Sequence, residues 1–203
     1  MPQSSDEHFL EISWPSELTG GTVATLGPLG TSSQLAAERL IRWLITAGTP
    51  GTAPELFLSY EDAAAAVIGG DADLMVVANA YAGISEFYMN TRLHLAGAFH
   101  NQTPLYGIAV EPGVELPAAL RIASHPAPVP LIGQLLPDHL VVQEVVLTKS
   151  TSQAALAVRS GEVDAALTTQ PSAERYGLSF ISRVRPIEML WSVFCAADER
   201  MVA

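Results

Sequence analysis

One cysteine, one lysine and few charges set the first bounds on this 203-residue chain. With Cys195 alone, no intramolecular disulfide framework and no cysteine-rich metal site can form. Lys149 is the single lysine among ten cations, which face 21 acidic residues for a formal net charge of −11. Nucleic acid and anionic membranes are bound through clustered Lys and Arg that release counterions, so this balance excludes both as partners. The same field repels small anions, and an anionic ligand would have to be held by helix termini, backbone amides or a placed arginine. No run of ~18 apolar residues is present, because Gly, Pro, Asp or Arg interrupts every apolar stretch. The opening MPQSSDEHFLEISWPSELTGG has neither the basic nor the apolar region of a secretion signal. A cytoplasmic protein is expected.

What is present is an alternation of strands and helices. Residues 1–20 are polar, without a sustained period, and read as an N-terminal extension. The β-branched run at 22–26 is followed by the turn Gly27-Pro28-Leu29-Gly30, and Thr31, Ser32 or Ser33 then caps a helix. In that helix Ala37, Leu40, Ile41 and Leu44 share one face, and the pattern ends near Gly48. A strand at 56–60, a helix at 61–69 and a buried strand at 73–79 repeat the alternation, which implies a parallel sheet covered on both faces. Strands are expected at 93–99, 104–110, 120–124 and 140–146, with a helix after His125-Pro126. Ser150, Thr151 and Ser152 cap a helix at 153–160. A strand at 164–169, a short helix at 171–176 and strands near 178–183 and 190–195 complete the chain.

Two strand, polar turn, helix units therefore lie about 120 residues apart, the first around GPLGTSS and the second around KSTSQ. Ligands of open α/β sheets bind outside the carboxyl ends of strands, so in two α/β lobes both turns would face a common cleft. Neither carries the GK[ST] or GxGxxG spacing of a nucleotide site. A helix N-terminus led by hydroxyls binds carboxylate or phosphate, although each hydroxyl also serves as a plain cap. His125, after one strand and before a helix, is an acid or anion ligand, or a histidine bonded to backbone. His8, His94, His100 and His139 show no metal-binding spacing, and no metal or cofactor is expected. Tyr81, Phe87, Tyr88, Tyr106 and Trp191 are candidate walls for a ring-bearing ligand, or core. Cys195, in an apolar strand without a base nearby in sequence, reads as an inert buried thiol.

The segment VATLGPLGTSSQLAAERL resembles the opening motif of the prephenate dehydratases. DADLMVVANAYAG stands where that family carries VVPIENS. ASHP, STSQAALAV and DAALTTQPSAERYGL match further family segments in order, from about residue 22 to 195. The resemblance implies an α/β, two-lobe fold of the type 2 periplasmic-binding-protein kind, with the active site in the interlobe cleft. Lobe 1 is expected from 21–80 plus 180–203, lobe 2 from 81–179, with no room for a regulatory ACT domain.

The departures matter as much. The family's T-R-F motif, whose Thr assists loss of the ring hydroxyl, is replaced within PIEMLWSVF, where Met189 or Leu190 stands in place of the Thr. Together with TLGPLGTSS, AYAGISEFYM, TPLYGIAV and SHPAP, this resembles the branch of non-aromatising decarboxylases within the family. That resemblance implies prephenate as a small-molecule substrate and a dihydro-4-hydroxyphenylpyruvate as product, in biosynthesis of a non-proteinogenic amino acid or antibiotic. Homodimerisation is left open. Tyr81, Tyr106 and His125 are the candidate proton donors. Thr31, Ser32, Ser33, Asn79, Ser124, Ser150, Thr151, Ser152, Thr168 and Trp191 are the candidate binding residues. The competing readings are a dehydratase forming phenylpyruvate and a non-catalytic protein that binds a small anion.

Overall fold

The computed structural model describes residues 9–11, 21–51 and 53–197. In chain order the elements are β1 (Phe9–Glu11), β2 (Val23–Leu26), α1 (Ser32–Thr46), β3 (Glu55–Phe57), α2 (Tyr60–Gly69), β4 (Leu74–Ala78), α3 (Ile84–Met89), β5 (Leu93–Gln102) and β6 (Tyr106–Val110). They continue with β7 (Ala119–Ser124), a 3-10 turn at Val129–Leu131, α4 (Ile132–Leu135), β8 (Val141–Leu147), α5 (Thr151–Arg159), β9 (Ala165–Thr169), α6 (Gln170–Arg175), β10 (Ser179–Phe180) and β11 (Glu188–Ala196). Apart from β1, the expected extension at 1–20 lies outside the described residues.

The chain divides into two compact units, the first from residues up to Thr25, Ala36–Asn101 and Glu188 onward, the second from Leu26–Leu35 and Gln102–Ile187. The chain crosses at 25/26, 35/36, 101/102 and 187/188: the segment 26–35, expected in lobe 1, lies in the second unit, and the last two crossings come later than the expected 80/81 and 179/180. The reason is strand pairing: β5 pairs with β1 and, in the strand order, adjoins β11, so both belong to the first unit.

In the first unit a six-stranded sheet runs β1-β5-β11-β4-β2-β3. The alternation implied a parallel sheet, and this is corrected: β2 and β4 are parallel, but β11 enters beside β4 antiparallel, with Trp191 opposite Ala78 and Phe194 opposite Met75. Burial periodicity reports that a strand is covered, not the direction of its neighbour. Ala36, Ala37, Leu40 and Leu44 of α1 pack with Val23, Leu74, Val76, Phe99, Trp191 and Val193 in one apolar cluster. Ser59 caps α2 by accepting from Asp62 N–H, and Gly70 ends it in the left-handed region at φ 82°.

In the second unit the sheet order is β10-β6-β9-β7-β8, antiparallel from β10 to β9 and parallel from β9 to β8. Its faces differ in side-chain size. Ala109, Ala123 and Ala166 pack with Ala154, Ala155 and Val158 of α5, where short side chains let the helix come close. Ile108, Leu120, Ile122 and Leu167 alternate to the other face and meet Ile132 and Leu135. The helix expected after His125-Pro126 is only the 3-10 turn and α4, because Pro126, Pro128 and Pro130 supply no amide hydrogens to extend it.

Candidate active site

The turn of the first motif, with the start of α1 (Leu26–Leu35), belongs to the second unit, as does the whole of the second motif, and the two meet at one end of that unit's sheet. β7, β8 and β9 run parallel, so their carboxyl ends share an edge, and β6 brings its amino end there with Tyr106 opposite Thr169. This is where an open α/β sheet binds ligands.

The first motif is anchored by Gly30, whose φ of 89° suits a residue without a side chain. Its carbonyl accepts from Thr169 Oγ1 and from Ser172 Oγ, each at 3.0 Å. Thr31 begins α1 as a cap: its Oγ1 accepts from Gln34 N–H at 3.3 Å and donates to Leu26 O at 3.1 Å, while Gln34 Oε1 returns to Gly30 N–H. Ser32 Oγ lies 3.1 Å from Tyr106 Oη in a buried pair, and Ser33 is buried beside it in sequence. Burial pushes the Tyr106 phenol pKa up, and the Ser32 bond opposes part of that rise.

The second motif begins α5. Ser150 Oγ caps it by accepting from Gln153 N–H at 3.1 Å. Thr168 Oγ1 donates to Thr151 O at 2.7 Å, tying β9 to the first turn of the helix. Ser152 is fully buried, and its Oγ has no hydrogen-bond partner among the described residues. At the end of β7, Ser124 Oγ donates to His125 O at 2.8 Å, and His125 Nδ1 accepts from Ala127 N–H at 3.3 Å. That bond puts the imidazole proton on Nε2, and burial lowers the His125 pKa. Thr31, Ser150, Ser124 and Thr168 thus each have a local backbone bond, while Ser32, Tyr106, Ser152 and the Nε2–H of His125 are the groups such bonds leave for chemistry.

The remaining candidates stand in the first unit, at the carboxyl end of β4. Tyr81 Oη donates to Glu61 Oε1 at 2.5 Å. The Glu61 bond, then burial, then the charges of Glu61 and Glu86 push its pKa up to about 12. Its ring lies against Tyr60 and Phe87 at centroid distances of 4.9 and 6.1 Å, and a Cβ at Gly83 would come within 2.7 Å of it. Asn79 Oδ1 accepts from Ser192 Oγ at 2.9 Å, and its Nδ2 donates to Tyr88 Oη at 3.4 Å. Trp191, expected as a wall, has no exposed surface: it lies in the core of this unit with Nε1 donating to Asn101 O at 3.3 Å. Cys195 is buried, and burial pushes its thiol pKa up.

Sequence reading missed Glu61 and also Ser192, the one hydroxyl in the apolar run 189–195. That isolation on β11 was the available signal. Leu190 is about half exposed, and its carbonyl accepts from Asn79 N–H at 3.0 Å.

Residues 23–186 match the prephenate dehydratase family. The chain belongs to that family. Within the prephenate dehydratase family, a protein of Bacillus subtilis (strain 168) named prephenate decarboxylase is 35% identical over 181 residues, 87% of this chain and 87% of its own. A prephenate dehydratase of Mycolicibacterium vanbaalenii is 31% identical over 174 residues, and this chain spans 55% of that protein's length. The prephenate dehydratase of Arthrobacter aurescens in complex with L-Phe shares the fold with a TM-score of 0.67 at 19% identity, over 87% of this chain and 61% of that one. A periplasmic substrate-binding protein of Coxiella burnetii shares it with a TM-score of 0.55 at 14% identity, over 86% and 83%. The expected fold class, that of the prephenate dehydratases and of periplasmic binding proteins, is borne out. Among the described residues, no helix is long and apolar enough to cross a membrane.

Proposed function

We propose that the chain removes carbon dioxide from prephenate without aromatising the ring, giving a dihydro-4-hydroxyphenylpyruvate. Carrying this reading is the similarity to a prephenate decarboxylase along 87% of both chains, against half the length of a dehydratase relative. Two features of the residues agree with it. Anion binding falls to helix N-termini and hydroxyls, which suits an acidic chain with a single lysine. The apolar Met189 and Leu190 offer no acid to a ring hydroxyl.

The physical account starts from the leaving groups. The bond between the ring carbon and its carboxylate breaks, its electron pair enters the ring diene, and carbon dioxide departs. If the hydroxyl opposite is protonated, the pair expels water and the ring becomes aromatic. If no acid reaches that oxygen, unprotonated hydroxide is a poor leaving group, and the pair takes a proton on ring carbon instead.

The N-terminus of α5, with Ser152 Oγ, and that of α1 hold the pyruvyl carboxylate. Burial of the ring carboxylate among apolar side chains favours its loss, since the delocalised transition state needs less solvation. Tyr81, one of three expected proton donors, keeps its proton in a hydrogen bond donated to the Glu61 carboxylate. The proton for ring carbon comes from Tyr106 or His125, both at the hydroxyl-rich end of the second unit's sheet. The reaction takes place in the cytoplasm on the free small molecule and supplies a keto acid to the biosynthesis of a non-proteinogenic amino acid or antibiotic. Incubation with prephenate and measurement of product mass tests the reading.

A further inference from the structure

At the carboxyl end of β4, three polar side chains from distant parts of the sequence close on one another. Ser192 Oγ donates to Asn79 Oδ1 at 2.9 Å, and Tyr88 Oη lies 2.6 Å from Ser192 Oγ. A serine hydroxyl has one proton, and it is directed to Asn79. The proton between Tyr88 and Ser192 is therefore the tyrosine's. Asn79 Nδ2 donates to Tyr88 Oη at 3.4 Å and closes the ring. Every hydroxyl proton in it points inward, and one amide N–H of Asn79 is left over.

The ring is held from behind by apolar packing. Ser192 is 1% exposed between the buried Trp191 and Val193, and the Tyr88 ring stands edge-on to Phe194 at 5.2 Å. Its other side is open, since Tyr88 is 41% exposed and Asn79 half-buried. A cyclic arrangement of this kind fixes both the amide orientation and the phenol proton.

We propose that this ring engages the ring hydroxyl of prephenate and withholds acid from it, so that the decarboxylated product keeps the hydroxyl. The inference rests on the decarboxylase reading above and adds residues to it. The spare Asn79 N–H hydrogen-bonds the hydroxyl oxygen, but an amide is far too weak an acid to deliver its proton to a departing hydroxide. The neighbouring phenol would be acid enough, and its proton is turned away onto Ser192. Asn79 is the contact; Tyr88 and Ser192 are positioning residues.

Opening the ring should change the product as well as the rate. In Ser192→Ala, Tyr88 loses its acceptor and turns its O–H outward. The hydroxyl then leaves as water, the phenolate is reprotonated by solvent, and phenylpyruvate forms with carbon dioxide. The experiment is chromatography of the products from wild type, Ser192→Ala, Tyr88→Phe and the double variant in mildly alkaline buffer, against an enzyme-free blank. Wild type and Tyr88→Phe should give phenylpyruvate only at the blank level. Ser192→Ala should raise it at least about tenfold, a fraction of the roughly hundredfold or more that a positioned acid contributes. Ser192→Ala/Tyr88→Phe should return it to the blank.

If Ser192→Ala does not fold, Ser192→Cys keeps the size of the side chain and replaces the oxygen that accepts from Tyr88 by a thiol, a far weaker acceptor, and an increase in the same direction is expected, again abolished by adding Tyr88→Phe. A folded ring-opened variant that still gives only the decarboxylated product overturns the inference alone. So does phenylpyruvate that persists in the double variant, since its acid is then not Tyr88. A wild-type chain that does not decarboxylate prephenate, or that forms phenylpyruvate, contradicts the functional reading itself.

Discussion

Tyr81 donates its phenolic proton to Glu61 across 2.5 Å, from the loop after β4 to the first turn of α2. The pair explains why the phenol pKa stands near 12 and not at its ordinary 10.0. Glu61→Gln keeps an acceptor oxygen and removes the charge, so the Tyr81 midpoint should fall toward 10.0. Ultraviolet tyrosinate titration, with Tyr81→Phe to identify the curve, reads this directly. The sign for stability follows. The folded phenol holds its proton where the unfolded one has lost it, so the contribution is present below about pH 10 and is lost as pH rises toward about 12. An unmoved midpoint in Glu61→Gln would show that the bond does not set the pKa.

Gly30→Ala should destabilise the second unit by about 1–2 kcal/mol, because alanine is strained at φ 89° and its Cβ would stand 3.1 Å from Ser172 Oγ. Denaturant midpoints check it. Gly133→Ala in α4, where nothing lies within 4 Å of the added Cβ, is the control and should be neutral or stabilising by up to ~1 kcal/mol.

Tyr106→Phe leaves Ser32 Oγ buried without the phenol, at a cost of about 1–3 kcal/mol. Ser32→Ala combined with Tyr106→Phe should cost less than the sum of the single changes, because both remove the same bond. Thermal melts give the coupling. Additive losses would mean that the two hydroxyls do not act as a pair.

Much of this was legible in sequence where the signal is local. The strand at β2, the GPLG turn, the capped starts of α1 and α5 and the alternation in β6, β7 and β9 all follow from residues within one or two turns of each other. Pairing across the sheet was not local. Nothing in MLWSVF says that β11 runs antiparallel to β4, and the ring of Asn79, Tyr88 and Ser192 joins residues up to 113 positions apart. Glu61 was hidden for a related reason: an acidic residue in a helix's first turn is already explained by the helix dipole, so its bond to Tyr81 leaves no further trace. The aromatic Trp191 shows the opposite limit, since composition alone does not separate a pocket wall from a core residue.

His125 should titrate below its ordinary 6.5, because burial disfavours the imidazolium. Here the folded state binds its proton less readily than the unfolded chain. Its contribution to stability is therefore present above about pH 6.5 and is lost as pH falls below that value. The imidazole Cε1–H proton shift in NMR, assigned with His125→Ala, follows the titration, and a midpoint at or above 6.5 would contradict the buried, neutral ring.

The most direct test of the account is the mass and proton spectrum of the product formed from prephenate by the full chain. The account predicts loss of carbon dioxide alone, with olefinic ring protons and the carbinol proton retained. Loss of carbon dioxide together with water, giving the aromatic signals of phenylpyruvate, would contradict it.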